Sequence, residues 1–257
     1  VPCFFFMHTD WIEYIKCTTQ ATQHERDRVR RLLRLLYSQF DGVFVLNREH
    51  RDWLTGFEMQ LDKEKVFLTA HHAPDVNALI KPIKKSDLFA DANDDTPVLF
   101  IACRLSAEKG IMDLPDIMAR ARKSLPNLKL VIAGSGPAEE ELKALLPDAR
   151  FMGWIDKATL ASLYASLDMF VFPSRFDTFG NVLLEAFAHG MPAIAYDCKG
   201  PRDIIEHEVS GYLVNDQREM AAQIVSHLGW QARRNTMRTA ARARAGHYSA
   251  ERIMTQY

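Results

Sequence analysis

The sequence predicts an α/β protein built on parallel sheets, arranged as a smaller unit followed by a larger one. Three observations carry that prediction. Short apolar runs alternate with stretches of helical periodicity along most of the chain. In the second part the apolar runs are continuous rather than alternating, as in strands that crossover helices cover on both faces. The rhythm lapses once, at Lys81–Asp95, where Pro82, a lysine pair and the acidic stretch Asp91-Ala92-Asn93-Asp94-Asp95 have the composition of a linker. The lapse divides the chain into residues 1–90 and 91–257.

In the first unit, Phe4–Met7 reads as a buried strand. His24–Tyr37 is helical, with Val29, Leu32, Leu33 and Leu36 at the spacing of a core stripe. Val43–Leu46 follows the turn-forming Asp41-Gly42, Glu49–Thr55 is a short helix, and Lys65–Thr69 completes a β-α-β-α-β series. The second unit opens on the strand Val98–Ala102 and a helix at Glu108–Ser124 interrupted by Pro115. Leu128–Ala133 is a strand, and Ala138–Leu145 and Lys157–Ser166 are helices. Met169–Phe172 is a strand, Asn181–Ala188 a helix stopped by Gly190, and Ala193–Tyr196 a strand. The remainder, from Arg218, is largely helical.

Composition narrows the function. The 257 residues carry a formal net charge of -1, which excludes the global basic field of a nucleic-acid binder. No apolar run approaches the roughly 20 residues of a membrane-spanning helix. The apolar opening, Val1 to Met7, has no basic stretch before it and does not read as a signal peptide. Its abrupt start inside a strand reads as a fragment. Cys3, Cys17, Cys103 and Cys198 show no zinc-type spacing and read as buried thiols of a reduced, cytoplasmic protein. His71-His72 suggests a metal only superficially, because adjacent residues do not share a helical face, and no metal site is expected.

Ligands of parallel sheets bind beyond the carboxyl ends of the strands, so the chemistry is sought there. After Ala102, Arg104 and Lys109 place a guanidinium and an ammonium where a diphosphate could be neutralised. After Ala133, Gly134-Ser135-Gly136-Pro137 permits a tight turn and close backbone approach, although Glu139 breaks the dinucleotide fingerprint. Met152-Gly153-Trp154 could read a nucleobase edge with backbone groups. After Phe172 comes the segment Pro173 to Ala186, in which Asp177 or Thr178 caps a helix whose first N–H groups, from Gly180 to Val182, suit phosphate. Glu185 sits one turn into that helix in apolar company, a costly place for a carboxylate without a partner. Each feature alone has a plainer reading as solvated cations, a strand-to-helix turn, or a capping Asp with a solvent-facing Glu.

Together, in order, the four stretches Arg104 to Gly110, Val131 to Pro137, Phe151 to Gly153 and Pro173 to Pro192 resemble retaining glycosyltransferase family 4, of the GT-B fold. The resemblance implies two Rossmann-like domains facing across a cleft. Residues 1–90 would be the last part of the acceptor-side domain, and 91–257 the donor-binding domain with its closing crossover helix. It implies that the family's pair of acidic residues falls on Asp177, where Glu is usual, and Glu185, which would hold the ribose. Arg104 and Lys109 would hold the diphosphate as it leaves, and His8 would face the donor sugar. Phe179, Gly180, Asn181, Gly134, Gly136 and Met152 would line the donor. The reaction implied moves a hexosyl group from a UDP- or GDP-linked sugar to a glycan or lipid acceptor, with retention and no required metal or other cofactor. The basic helix from Arg26 to Arg34 would then suit peripheral contact with the inner face of a membrane. A phosphorylase or epimerase of the same fold, and a nucleotide-sugar-binding module without turnover, are the competing readings.

Overall fold

The structure is a computed structural model that describes residues 1–76 and 80–255. It holds two wholly parallel sheets. The smaller, in the order β1-β2-β3, contains β1 (Phe4–Met7), β2 (Gly42–Val45) and β3 (Val66–Leu68). The larger contains β4 (Val98–Ala102), β5 (Lys129–Ala133), β6 (Arg150–Gly153), β7 (Met169–Phe172), β8 (Ala193–Tyr196) and β9 (Gly211–Val214). Its order is β6-β5-β4-β7-β8-β9. The chain winds outward from β4 in one direction and from β7 in the other, so the order reverses between them. That reversal opens a crevice beyond their carboxyl ends.

Helices join the strands. Before the larger sheet come α1 (Trp11–Thr18), α2 (Gln23–Ser38), α3 (Arg48–Thr55) and α4 (Lys85–Leu88). Around it lie α5 (Leu114–Ala121), α6 (Glu139–Leu145), α7 (Lys157–Ser166), α8 (Asn181–Ala188) and α9 (Pro201–Ile204). The chain closes with α10 (Gln217–Leu228), α11 (Gln231–Gly246) and α12 (Ala250–Met254).

Strand β4 shows why the larger sheet reads so clearly. Val98, Phe100 and Ala102 enter the core on one face, and Leu99 and Ile101 the core on the other. Every residue is buried, hence the uninterrupted apolar run. Helix α11 packs on α8, and the amide of Ala73 donates to the carbonyl of Tyr248 at 2.7 Å, tying the end of the chain to the first unit. The expected linker is pinned: buried Lys85 binds Asp168 at 2.7 Å and the carbonyls of Asp94 and Thr96.

The smaller sheet differs from the sequence reading. One face, with Met7, Val43, Val45 and Val66, is covered by Tyr37 of α2 and Leu54 of α3. The other carries a row of rings, Phe4, Phe6, Phe44 and Phe67, with Phe4–Phe44 and Phe44–Phe67 centroids 5.8 and 5.2 Å apart. Phe4 is 53% exposed and Phe6 37%, and β1 is an edge strand, so the expectation of a buried first strand fails. No helix among the described residues covers that face. The stripe expected of α2 also fails to bury as a unit. Tyr37 turns inward and Leu33 packs beside it, whereas Leu32, Leu35 and Leu36 are exposed.

Other corrections are local. Pro115 does not interrupt a helix but stands in the first turn of α5, where its missing N–H costs nothing. Helix α1, capped by Asp10 accepting from the Glu13 amide, and strand β9 were not anticipated. Cys3 is exposed, against the expectation of buried thiols. Cys103 and Cys198 are half-buried, and burial pushes their thiols up to about 12 and about 11.

Candidate active site

Two loops build the floor of the crevice. The loop after β4 forms two short 3-10 turns, Ala107–Lys109 and Ile111–Asp113, hinged at Gly110 with φ of 67°. A Cβ on Gly110 would overlap the carbonyl oxygen of Pro173, so the two loops touch backbone to backbone there. The contact brings Lys109 Nζ to 2.6 Å from Asp177 Oδ1. The second carboxylate oxygen of Asp177 is buried without a partner among the described residues. Arg104 is exposed and forms no ion pair among the described residues, leaving its guanidinium available to an anion.

Helix α8 begins at the same place. The expectation that Asp177 or Thr178 caps it is incorrect. Its N-cap is Gly180, at φ of 101°, with no side-chain capping bond. Asp177 is engaged by Lys109, and the Thr178 hydroxyl donates to the carbonyl of His8 at 2.9 Å. The first N–H groups of an α-helix have no intrahelical partner, and those of Asn181 and Val182 meet no acceptor among the described residues. Aligned with the helix dipole, they suit an anionic oxygen.

A cavity of about 350 Å³ brings together His8, Arg104, Lys109, Asp177, Phe179, Gly180 and Asn181. His8 stacks on His71 at 5.7 Å, and His71 meets Phe179 edge-on at 5.6 Å. Burial, then the neighbouring His8 and His72, lowers the tendency of His71 to protonate. A second cavity of about 350 Å³ shares Ala102, Cys103, Arg104 and Val182 with the first and extends to Gly134, Ser135 and the exposed Trp154. The shared residues make the two one elongated crevice. A third, of about 250 Å³, lies toward the first unit and also touches Lys109 and Asp177, with His8, Thr9, Asp10, Tyr14 and Phe176 among its walls.

Not every expected residue joins this crevice. Glu185, Gly136 and Met152 line neither of its cavities. Met152 packs partly buried against the core. A Cβ on Gly136 would overlap the Leu105 carbonyl, and one on Gly134 that of Cys103, so loop packing alone demands both glycines. Glu185 is half-buried and accepts a hydrogen bond from the Tyr164 hydroxyl at 3.3 Å. Burial raises its pKa above the usual carboxylate value, and the Tyr164 bond only partly opposes that. Trp154, read in sequence only as part of a segment whose backbone could meet a nucleobase, lines the second cavity. Two residues of the neighbourhood were not anticipated as site residues: His71 and Asn47, whose side-chain amide donates to the Thr178 carbonyl at 2.6 Å. A strand-end rule applied to the first unit as strictly as to the second would have flagged Asn47, which directly follows the apolar run ending at Leu46.

A family model described as "Glycosyl transferases group 1" matches residues 96–229. Among curated proteins, the chain is similar to a GDP-mannose-dependent alpha-mannosyltransferase of Mycolicibacterium smegmatis, with 34% identity over 179 residues, 65% of this chain and 46% of that protein. It is also similar to the alpha-monoglucosyldiacylglycerol synthase of Streptococcus pneumoniae, with 24% identity over 89% of this chain and 54% of that one. The chain thus spans about half the length of these relatives. Among solved structures, Anabaena HepE in complex with UDP-glucose superposes with a TM-score of 0.80 at 21% identity, covering 99% of this chain and 70% of that one. The likeness places the architecture among GT-B folds.

Proposed function

Because the chain belongs to the glycosyl transferases group 1 family, we propose that it binds a nucleotide-diphosphate sugar in the crevice between the β4 and β7 loops and serves its retaining transfer to an acceptor hydroxyl. The observation that carries the reading is convergence. Arg104, without an ion pair among the described residues, the Lys109–Asp177 pair with its spare oxygen and the open N-terminus of α8 all meet one cavity. In the reaction the bond from the anomeric carbon to the diphosphate breaks and a bond to the acceptor oxygen forms. Negative charge grows on the departing diphosphate, where Arg104, Lys109 and the Asn181 and Val182 amides can neutralise it without a metal. Asp177 and His8 would address the sugar, Glu185 the ribose, and the arm lined by Gly134 and Trp154 the nucleobase. The third cavity offers the acceptor a place next to the same Lys109–Asp177 pair. The names of the relatives point to a hexosyl donor carried on GDP or UDP.

Residues 1–90 are proposed as part of the acceptor-side domain. The uncovered phenylalanine face of its sheet favours a second reading for this chain by itself, donor binding without turnover, since parallel sheets are otherwise covered on both faces. One titration series tests both. UDP, GDP and their common sugar conjugates are titrated calorimetrically in the presence of a chelator into the chain and its Glu185→Gln variant, and hydrolysis and transfer are followed in the same samples. Binding by the native chain and at least about tenfold weaker binding by the variant are expected, the loss of a charged hydrogen-bonding partner. The variant is expected to melt no lower than the native chain. The pKa of Glu185 is raised in the fold, so the ionised carboxylate costs stability at neutral pH and glutamine removes that cost. For the same reason binding should weaken as the pH falls from neutral, and at a higher pH than an ordinary glutamate would give, as the carboxylate protonates. A folded chain that binds no nucleotide refutes the proposal.

Peripheral membrane contact is proposed for α2, whose exposed Leu35 and Leu36 lie about one turn beyond the exposed Leu32, beside the exposed Arg28 and Arg31. No described helix is long and apolar enough to cross a membrane. The chain should sediment with vesicles of anionic phospholipid and not with zwitterionic ones, and Leu35→Glu should abolish the difference. Equal partition onto both vesicle types would rule the contact out.

A further inference from the structure

The loop that carries Asp177 is held from the opposite side of the cleft by a chain of buried polar side chains. Asn47, 0% exposed, follows β2 and caps α3 by accepting from the His50 amide at 2.7 Å. Its amide nitrogen donates to the Thr178 carbonyl at 2.6 Å and lies 3.0 Å from His50 Nδ1. Those partners fix the amide, since a carbonyl only accepts and a backbone N–H only donates. His50 Nδ1 must then accept, which places the ring proton on Nε2, where it is donated to Asp10 Oδ2 at 3.0 Å. Lys199 adds a bond to that carboxylate oxygen at 2.5 Å, and the Glu13 amide binds the other at 2.9 Å. Burial works to raise the pKa of Asp10, but the hydrogen bonds from His50, the Glu13 amide and Lys199 hold it far below the usual carboxylate range. The Thr178 hydroxyl completes the anchor by donating to the His8 carbonyl.

Thr178 adjoins Asp177 and is therefore held at both its hydroxyl and its carbonyl by the first unit. We infer that Asn47, oriented by His50 and Asp10, is a positioning residue that sets Asp177 and Phe179 for the sugar end of the donor, in a relay running Lys199–Asp10–His50–Asn47–Thr178. The inference rests on the donor-site reading above and adds a division of labour. Arg104 and the start of α8 take the diphosphate from the larger unit, while the sugar subsite is aligned by the smaller one. Both amide hydrogens of Asn47 and both ring nitrogens of His50 are engaged, and such networks lose order when one link is removed.

The test is Asn47→Ser. Serine still caps α3 but is too short to reach Thr178, so folding is retained while the carbonyl loses its donor. Calorimetric titration of UDP, UDP-glucose, GDP and GDP-mannose into both chains measures what the sugar adds to each nucleotide's affinity. Nucleotide affinity is expected to stay within about twofold, and the sugar increment to fall by about tenfold or more, the loss of one buried donor. Amide exchange of the peptide spanning Arg175 to Phe179 should accelerate in the variant without ligand. An unchanged increment with unchanged exchange overturns the inference and leaves the donor site standing. Parallel loss of nucleotide affinity, sugar increment and melting temperature shows Asn47 to be merely structural and overturns it too. Failure of the native chain to bind any nucleotide overturns the donor-site reading and this inference with it.

Discussion

Replacing Lys109 by alanine should weaken binding of UDP and GDP by about tenfold to a hundredfold, the cost of about 1.5–3 kcal/mol for a lost charge-assisted hydrogen bond. Two effects add. The ammonium no longer faces the diphosphate, and the Asp177 carboxylate loses the partner it holds at 2.6 Å. Because Oδ2 is already without a partner among the described residues, the variant leaves a half-buried carboxylate wholly uncompensated at the edge of the proposed anion site. That second effect is separable. Adding Asp177→Asn to Lys109→Ala removes the repulsion and should recover part of the affinity, a positive coupling that a double-mutant cycle reads directly. Lys109→Arg should retain more affinity than alanine yet less than lysine, since a planar fork replaces a point charge in a geometry built for the latter. If Lys109→Ala binds UDP and GDP within about twofold of the native chain, Lys109 serves Asp177 alone and the diphosphate lies elsewhere.

The largest expected loss of stability comes from Gly134→Ala. Gly134 has φ of 116°, outside the range an alanine adopts without strain, and a Cβ there would overlap the backbone carbonyl of Cys103. The obstacle is strand-end backbone, not a flexible side chain, so relief requires the β4 and β5 loops to part. Strain of about 1–3 kcal/mol from the dihedral alone, with the overlap added, predicts a melting point lower by roughly 5–15 °C. Gly153→Ala is the control. Gly153 also has a positive φ, 62°, but a Cβ there meets nothing within 4 Å, so only the milder strain of the left-handed region applies. Equal, small shifts for the two variants in a thermal melt would show that the two loops are not packed backbone to backbone at Gly134.

These two glycines also mark how far the sequence could be read. Val98–Ala102 was legible as a central strand because apolar residues on both faces really are buried on both faces. Phe4–Met7 looks the same in sequence, but it is an edge strand with one face open. An apolar run reports what the residues would prefer to bury, not whether a second layer is present. Arg104, Lys109 and Asp177 were singled out by the rule that ligands meet the carboxyl ends of parallel strands, and one cavity brings them together. Glycines near a strand end were read as room for a ligand, whereas at Gly136 the room is filled by a neighbouring carbonyl. The cap of α8 was assigned to a polar side chain because Asp and Thr usually take that place, yet both are drawn away by partners on other elements. Asn47 could be flagged by its place after a strand, but its role could not be read. In sequence it is an ordinary helix cap, and its decisive partner is a carbonyl 131 positions away.

That distance has a consequence for how the molecule comes into being. The hydroxyl of Thr178 and the carbonyl it binds at His8 are 170 positions apart, and the Ala73 amide waits for Tyr248 near the other end of the described chain. During synthesis the first unit therefore leaves the ribosome long before the segment that completes its cleft-facing edge, and pairings of such range close slowly. No contiguous early part of the polypeptide contains the pocket, which exists only once the late segments have docked. A nucleotide that binds it recognises the finished fold and not its precursors, so ligand occupancy would pull the last step of folding to completion by mass action.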